Sequence, residues 1–71
     1  MDILLFKTNL ENPELISRAK PFLQNIEGIQ KWNVDVQDCD NVLRIEAVQV
    51  SPRSIENALK GAGYYCEELQ D

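Results

Sequence analysis

Asp38-Cys39-Asp40 sets a thiol between two carboxylates in a short polar stretch of this sequence. A thiol between two carboxylates offers one soft and two hard donors, so it could hold an ion loosely or form a disulfide with a second protomer. Chemistry limits both uses. One thiolate gives poor soft-metal affinity, and flanking aspartates make a thiol less reactive. The run, continued by Asn41, also echoes the first ligands of a calcium loop, but the following glycine and the distant bidentate glutamate are missing. Asp and Asn are equally the residues of turns, and an exposed turn between solvated acids is the expected role.

The second thiol, Cys66, alternates with Tyr65 in a β-prone stretch and reads as a small core hydrophobe. A bridge between Cys39 and Cys66 would need Cα atoms within roughly 7 Å. The first lies in a turn and the second in a last strand expected on the other side of the sheet, so no disulfide is expected. The chain has no histidine, which removes the commonest general base and the commonest metal ligand near neutral pH.

These groups must be positioned by a small number of elements. Ile3-Leu4-Leu5-Phe6 is apolar on both alternating sets, which predicts a central strand over residues 2 to 8. Asn12-Pro13-Glu14 then reads as an N-cap, a first helical residue and an acid at the positive end of the helix dipole. Leu15, Ile16, Ala19, Phe22, Leu23 and Ile26 follow at helical spacing and predict one buried stripe, with a kink near Ser17 to Pro21 but no break, and an end at Gly28.

Trp32, Val34 and Val36 alternate with polar residues, as do Leu43, Ile45 and Ala47, so two half-buried strands should pair as a hairpin across residues 38 to 41. Ser51-Pro52 repeats the cap signal, and Ile55, Ala58, Leu59 and Ala62 form a second stripe stopped by Gly61 and Gly63. Tyr64-Tyr65-Cys66 leads a short last strand that frays through the tail to Asp71. The order βαββαβ predicts an α+β, ferredoxin-like sandwich: one four-stranded antiparallel sheet with two helices on one face.

Seventy-one residues suit a single domain over 1–71, with one modest core. Twelve acidic against seven basic residues give a net charge of −5, which repels phosphate backbones and anionic lipid alike. Nucleic acid and membrane surfaces are therefore not expected as partners. Two cysteines, no apolar leader after Met1 and no long apolar run predict a protein of the cytoplasm.

Along its whole length the chain resembles the heavy-metal-associated domains, the small copper chaperones and soluble modules of metal-pumping ATPases. The resemblance is carried by Phe6-Lys7-Thr8-Asn9-Leu10, Ile26-Glu27-Gly28-Ile29, Trp32-Asn33-Val34-Asp35-Val36 and Ala58-Leu59-Lys60-Gly61-Ala62-Gly63-Tyr64. In that family a Met-x-Cys-x-x-Cys motif binds one soft ion through two thiolates. Counting back from Gly28, the resemblance puts Leu10 at the methionine, Asn12 at the first cysteine and Leu15 at the second. An amide oxygen is a hard, weak donor and a hydrocarbon is none, so neither position can supply a soft ligand. Asn12 is expected to cap the first helix and Leu15 to join its stripe. By the same resemblance Lys60 and Tyr64 fall in the loop that screens the metal charge, where here they would cap the second helix and fill the core's end.

Two further readings of the fold are set aside. An acylphosphatase-type enzyme needs a glycine-rich loop of amides with basic support around a phosphate, and no such loop is present. RNA binding would call for basic charge and aromatic platforms on the strands, against the acidic balance and the single Trp32.

What remains is the open face of the sheet, where whichever of Ile3 with Leu5 or Leu4 with Phe6 points away from the helices lies next to Val48, Val50 or Tyr65; Ile3, Leu5, Val48 and Tyr65 are the expected apolar patch for a protein partner or a homodimer. The expected function is thus non-enzymatic: a domain without its thiolate site, cofactor or bound metal, acting through protein contacts. The alternative is metal binding or trafficking through Cys39, Asp38 and Asp40 or across a dimer interface.

Overall fold

A computed structural model describes residues 1 to 69. The elements run β1 (Asp2–Thr8), α1 (Pro13–Gln24), β2 (Ile29–Asp35), β3 (Val42–Ala47), α2 (Pro52–Gly61) and β4 (Cys66–Glu68). The four strands form one antiparallel sheet in the order β2-β3-β1-β4, so the ferredoxin-like βαββαβ architecture holds. β1 pairs on both sides, with Leu4 opposite Ile45 and Thr8 opposite Cys66.

Alternation along each strand decides which face meets the helices. Phe6 and Thr8 of β1, Leu43, Ile45 and Ala47 of β3, and Cys66 of β4 are buried beneath α1 and α2. Ala19 and Leu23 descend from α1, and Ile55 and Leu59 from α2, into the same core. Each fully buried Leu or Phe contributes about 1.5–3 kcal/mol, so this one cluster outweighs any surface interaction in the domain. On the opposite face Ile3 is 47% exposed and Leu5 half-buried.

Several expectations are corrected in detail. β2 begins at Ile29 and ends at Asp35, so Val36 lies in the connection and is exposed. α1 runs through Pro21 without a break, as expected, but ends at Gln24, short of Gly28. Phe22 does not join the buried stripe: it is 42% exposed and meets Tyr64 edge-on at 6.4 Å. Tyr64 and Tyr65 are not strand residues. Their amides are taken elsewhere, by the Leu59 carbonyl at 2.9 Å and the Asn9 side-chain oxygen at 3.0 Å, so ladder pairing starts only at Cys66. Residues 70 and 71, the end of the predicted tail, lie outside the described residues.

Gly28 lets the turn between α1 and β2 approach the connection between β3 and α2. Its φ of +100° is left-handed, and a Cβ there would stand 2.6 Å from both the Val48 carbonyl oxygen and Val50 Cγ2. The Gly28 carbonyl in turn accepts the Val48 amide at 2.9 Å. Positive φ and a backbone collision act together, so Gly28→Ala should cost about 2 kcal/mol or more. Thermal unfolding followed by circular dichroism should show a fall in Tm of roughly 10 °C; an unchanged Tm would mean that this turn relaxes freely.

Candidate functional site

Three loops meet beyond the carboxyl end of β1, and Thr8 gathers two of them. Its amide donates to the Asp40 carbonyl at 3.1 Å and its hydroxyl to the Asn41 carbonyl at 2.7 Å, while the same hydroxyl accepts the Leu10 amide at 3.2 Å. Asn9 adds the third loop by accepting the Tyr65 amide. The β1–α1 loop, the hairpin connection and the α2–β4 loop therefore converge at this end.

The β1–α1 loop is occupied by its own structure. Leu10 is fully buried, and Asn12 has extended backbone with φ −151° and ψ 165°. Its side-chain oxygen accepts the Leu15 amide at 2.9 Å, and its carbonyl accepts the Ile16 amide at 3.1 Å. That is an N-cap followed by Pro13 at the first helical position, the arrangement that the dihedral needs of a proline favour. Leu15 is half-buried and packs against the core. Neither side chain is presented as a soft donor.

In the hairpin connection Asp38, Cys39 and Asp40 can each offer one ligand atom, all within 4.8 Å of one another. The donors are partly committed already. An Asp38 oxygen accepts the Asp40 amide at 2.9 Å, and an Asp40 oxygen is 3.6 Å from the Lys7 ammonium and 3.9 Å from Cys39 Sγ. Cys39 itself is exposed. Three consecutive residues supplying one thiol and two carboxylates make a mixed donor set, weak for a soft ion and too small for a hard one.

Cys66 is the opposite kind of thiol. It is fully buried beside Thr8, and burial, reinforced by the Glu56 carboxylate and partly opposed by Lys60, pushes its pKa up to about 12. Both cysteines are free. Thr8 links their surroundings: the hairpin connection is bonded to Thr8, and Thr8 pairs with Cys66. Cys66 nevertheless faces the core, whereas Cys39 faces solvent.

Around the rim, the Tyr65 phenol donates to the Glu67 carboxylate, which raises its pKa. The Lys60 backbone carbonyl accepts the Gly63 amide as α2 ends, and Tyr64 is half-buried against the core. The four apolar surface residues named from sequence come from different parts of the fold. Ile3 and Leu5 share the open face, but Val48 lies past the last paired residue of β3, next to Ala47, and Tyr65 precedes β4 at the other end. Arg44 and Glu46 flank Leu5 and Ile3 across the ladder. Residues that sequence reading passed over are Thr8, Asn9 and Lys7, whose polar types at a strand's end were the available signal.

No family model matches the chain, and no curated protein matches it. Solved structures do. A structure described as "Crosstalk between Cu(I) and Zn(II) homeostasis" superposes with a TM-score of 0.82 at 14% identity, over 97% of this chain and 100% of that one. The chain has the fold of a heavy-metal-associated domain. The N-terminal domain of ZntA in its Zn(II) form gives a TM-score of 0.79 at 17% identity, over 96% of this chain and 92% of that chain. The apo heavy-metal-associated domain of a copper chaperone for superoxide dismutase gives 0.75 at 16%, over 96% of this chain and 66% of that chain. At these identities what is shared is the fold. Among the described residues no helix is long and apolar enough to cross a membrane.

Two outcomes are expected at this site. Asn12→Ala should destabilise the domain by about 1 kcal/mol in urea titration, because the Leu15 amide loses its acceptor; a loss near zero would mean water replaces the cap. Ellman's reagent should react quickly with one thiol in the folded protein and with a second only on unfolding, and Cys39→Ser should remove the fast phase.

Proposed function

We propose that this chain is a non-enzymatic heavy-metal-associated-type domain that does not hold a metal through paired thiolates and acts through protein contacts in the cytoplasm. The observation that carries this reading is the state of Asn12 and Leu15. At the positions that the resemblance assigns to two cysteines, one side chain is engaged in capping α1 and the other packs on the core. The loop is folded by those residues and has no need of an ion to order it. Two free thiols support a reducing compartment. The absence of histidine, together with a buried thiol pushed towards pKa 12, leaves little from which to build acid–base or nucleophilic catalysis.

Contacts would be made on the sheet face not covered by helices, where Ile3 and Leu5 stand among charged neighbours, with Val48 and Tyr65 at its two ends. A second reading is favoured by one observation, the nearness of the Asp38, Cys39 and Asp40 donor atoms. On that reading the chain handles metal at the hairpin connection, alone or with a second protomer.

Native mass spectrometry with Cu(I) and Zn(II) under reducing conditions separates the two. The wild-type monomer should take up neither ion stoichiometrically, and N12C/L15C should gain Cu(I), because the loop already places both Cα atoms at the start of α1. The double variant gives up the cap, so some loss of stability accompanies the gain. Tight binding by the wild type that is abolished in Cys39→Ala would establish the second reading; failure of N12C/L15C to bind would mean the loop does not correspond to the metal loop.

A further inference from the structure

β2 is an edge strand, since the order β2-β3-β1-β4 leaves one of its sides unpaired. An open edge presents amides and carbonyls to any strand that fits, and folded proteins ordinarily guard such edges with charge, proline or bulges. This one has a bulge at its start, between Ile29 and Lys31. Beyond it the strand reads Lys31-Trp32-Asn33-Val34-Asp35, which is symmetrical about Asn33 in chemical type except that its end charges are opposite. Lys31, Asn33 and Asp35 are exposed, whereas Trp32 and Val34 are half-buried and pack on the core.

We propose that this edge joins two copies of the chain, by antiparallel pairing of β2 with β2 about a two-fold axis through Asn33. In that register Lys31 lies opposite Asp35 of the second copy and Trp32 opposite its Val34, and each pair occurs twice. A two-fold axis normal to a continuous sheet sets a residue opposite its own copy, so the neighbouring registers centre on Trp32 or Val34. Centring on Trp32 puts Lys31 opposite Asn33 and Asp35 opposite Ile29. Centring on Val34 puts Asp35 opposite Asn33 and carries Lys31 past the strand's end. Among these registers, the one centred on Asn33 pairs both charges.

The chain's own charges leave the partnership available. Among the described residues no ion pair includes Lys31 or Asp35. Within the sheet Asp35 is opposite Val42, an apolar residue, and Lys31 is opposite Glu46, which already stands 3.6 Å from Arg44. One Asp35 oxygen accepts the Gln37 amide at 3.0 Å, and among the described residues the other has no such donor. On the helix side, Trp32 and Val34 of the second copy would extend the apolar layer that the first copy's Val34 and Trp32 leave half covered. The assembly is an eight-stranded sheet with four helices on one face. It uses neither the loop at Asn12 nor the open face at Ile3 and Leu5, so it stands apart from the function proposed above.

Five paired residues on each side make a small interface, which points to a reversible dimer with a dissociation constant in the micromolar range or weaker. Sedimentation equilibrium of the whole chain under reducing conditions, at concentrations up to about 1 mM, should show a monomer–dimer equilibrium in that range. K31D and D35K each set like charges opposite one another twice per dimer, and each should raise the dissociation constant about tenfold. K31D/D35K restores opposite pairs and should return it to within about threefold of wild type. K31D also meets Glu46 within its own sheet. D35K has only Val42 opposite and so reports the interface with the least disturbance of the fold, checked by circular dichroism. A chain monomeric throughout, a dimer that D35K does not weaken, or a double variant that stays as weak as the single ones would each overturn the proposal.

Discussion

The buried hydroxyl of Thr8 is the constraint on which this end of the molecule depends. Thr8 is the one buried polar side chain among the described residues, and no buried side-chain donor or acceptor there lacks a partner. Its hydroxyl both donates and accepts, and its amide is also taken, so the hairpin connection and the entry to α1 are fixed to the last residue of the central strand. A buried hydroxyl left without such partners would cost on the order of 1–3 kcal/mol, which makes this a position where polarity and burial must be satisfied together. Because β1 is central, Thr8 also sits beside Cys66 of β4. Every loop that could carry chemistry is thus referred to one strand end.

That geometry separates two properties that are joined in thiolate-binding members of the fold. The scaffold that brings three loops together is complete, yet the residues at the start of α1 serve the helix and the core. An Asn oxygen that satisfies an orphan helix amide and a leucine on the buried stripe both lower the free energy of the folded domain directly. A loop held in this way is ordered without an ion, whereas exposed thiolates in the same places would remain reactive until a metal bound them. The order of the loop and its lack of soft donors both follow from the same two residues, Asn12 and Leu15.

The two cysteines illustrate how environment decides what a thiol does. Cys66, enclosed by β1 and α2, is held neutral by desolvation and behaves as a small apolar side chain. Cys39 stands in water in a turn whose carboxylates are engaged by a backbone amide and by Lys7. Sequence distance gives no hint that Thr8 links their surroundings. Their difference lies in burial: Cys39 is exposed in the turn, and Cys66 is covered in the core.

Much of the architecture was legible in the chain itself. The alternation Leu43, Ile45, Ala47 and the spacing Ile55, Leu59 specify strand and helix through periodicity alone, and Asn12-Pro13 and Ser51-Pro52 announce both helix starts through the capping of amides. The inability of Asn12 and Leu15 to act as soft ligands was equally plain, being a property of residue type. Other features needed the tertiary structure. Phe22 matches the helical stripe but is exposed, because α1 turns that edge toward Tyr64 and solvent; Tyr64 and Tyr65 are β-prone but are drawn out of the sheet by Leu59 and Asn9. Thr8, Asn9 and Lys7 gained their importance from partners more than thirty residues away. Local pattern determines which elements form and which residue types they contain; only the packed sheet decides which side chains become neighbours, since that depends on strand order and register, which no short window of sequence contains.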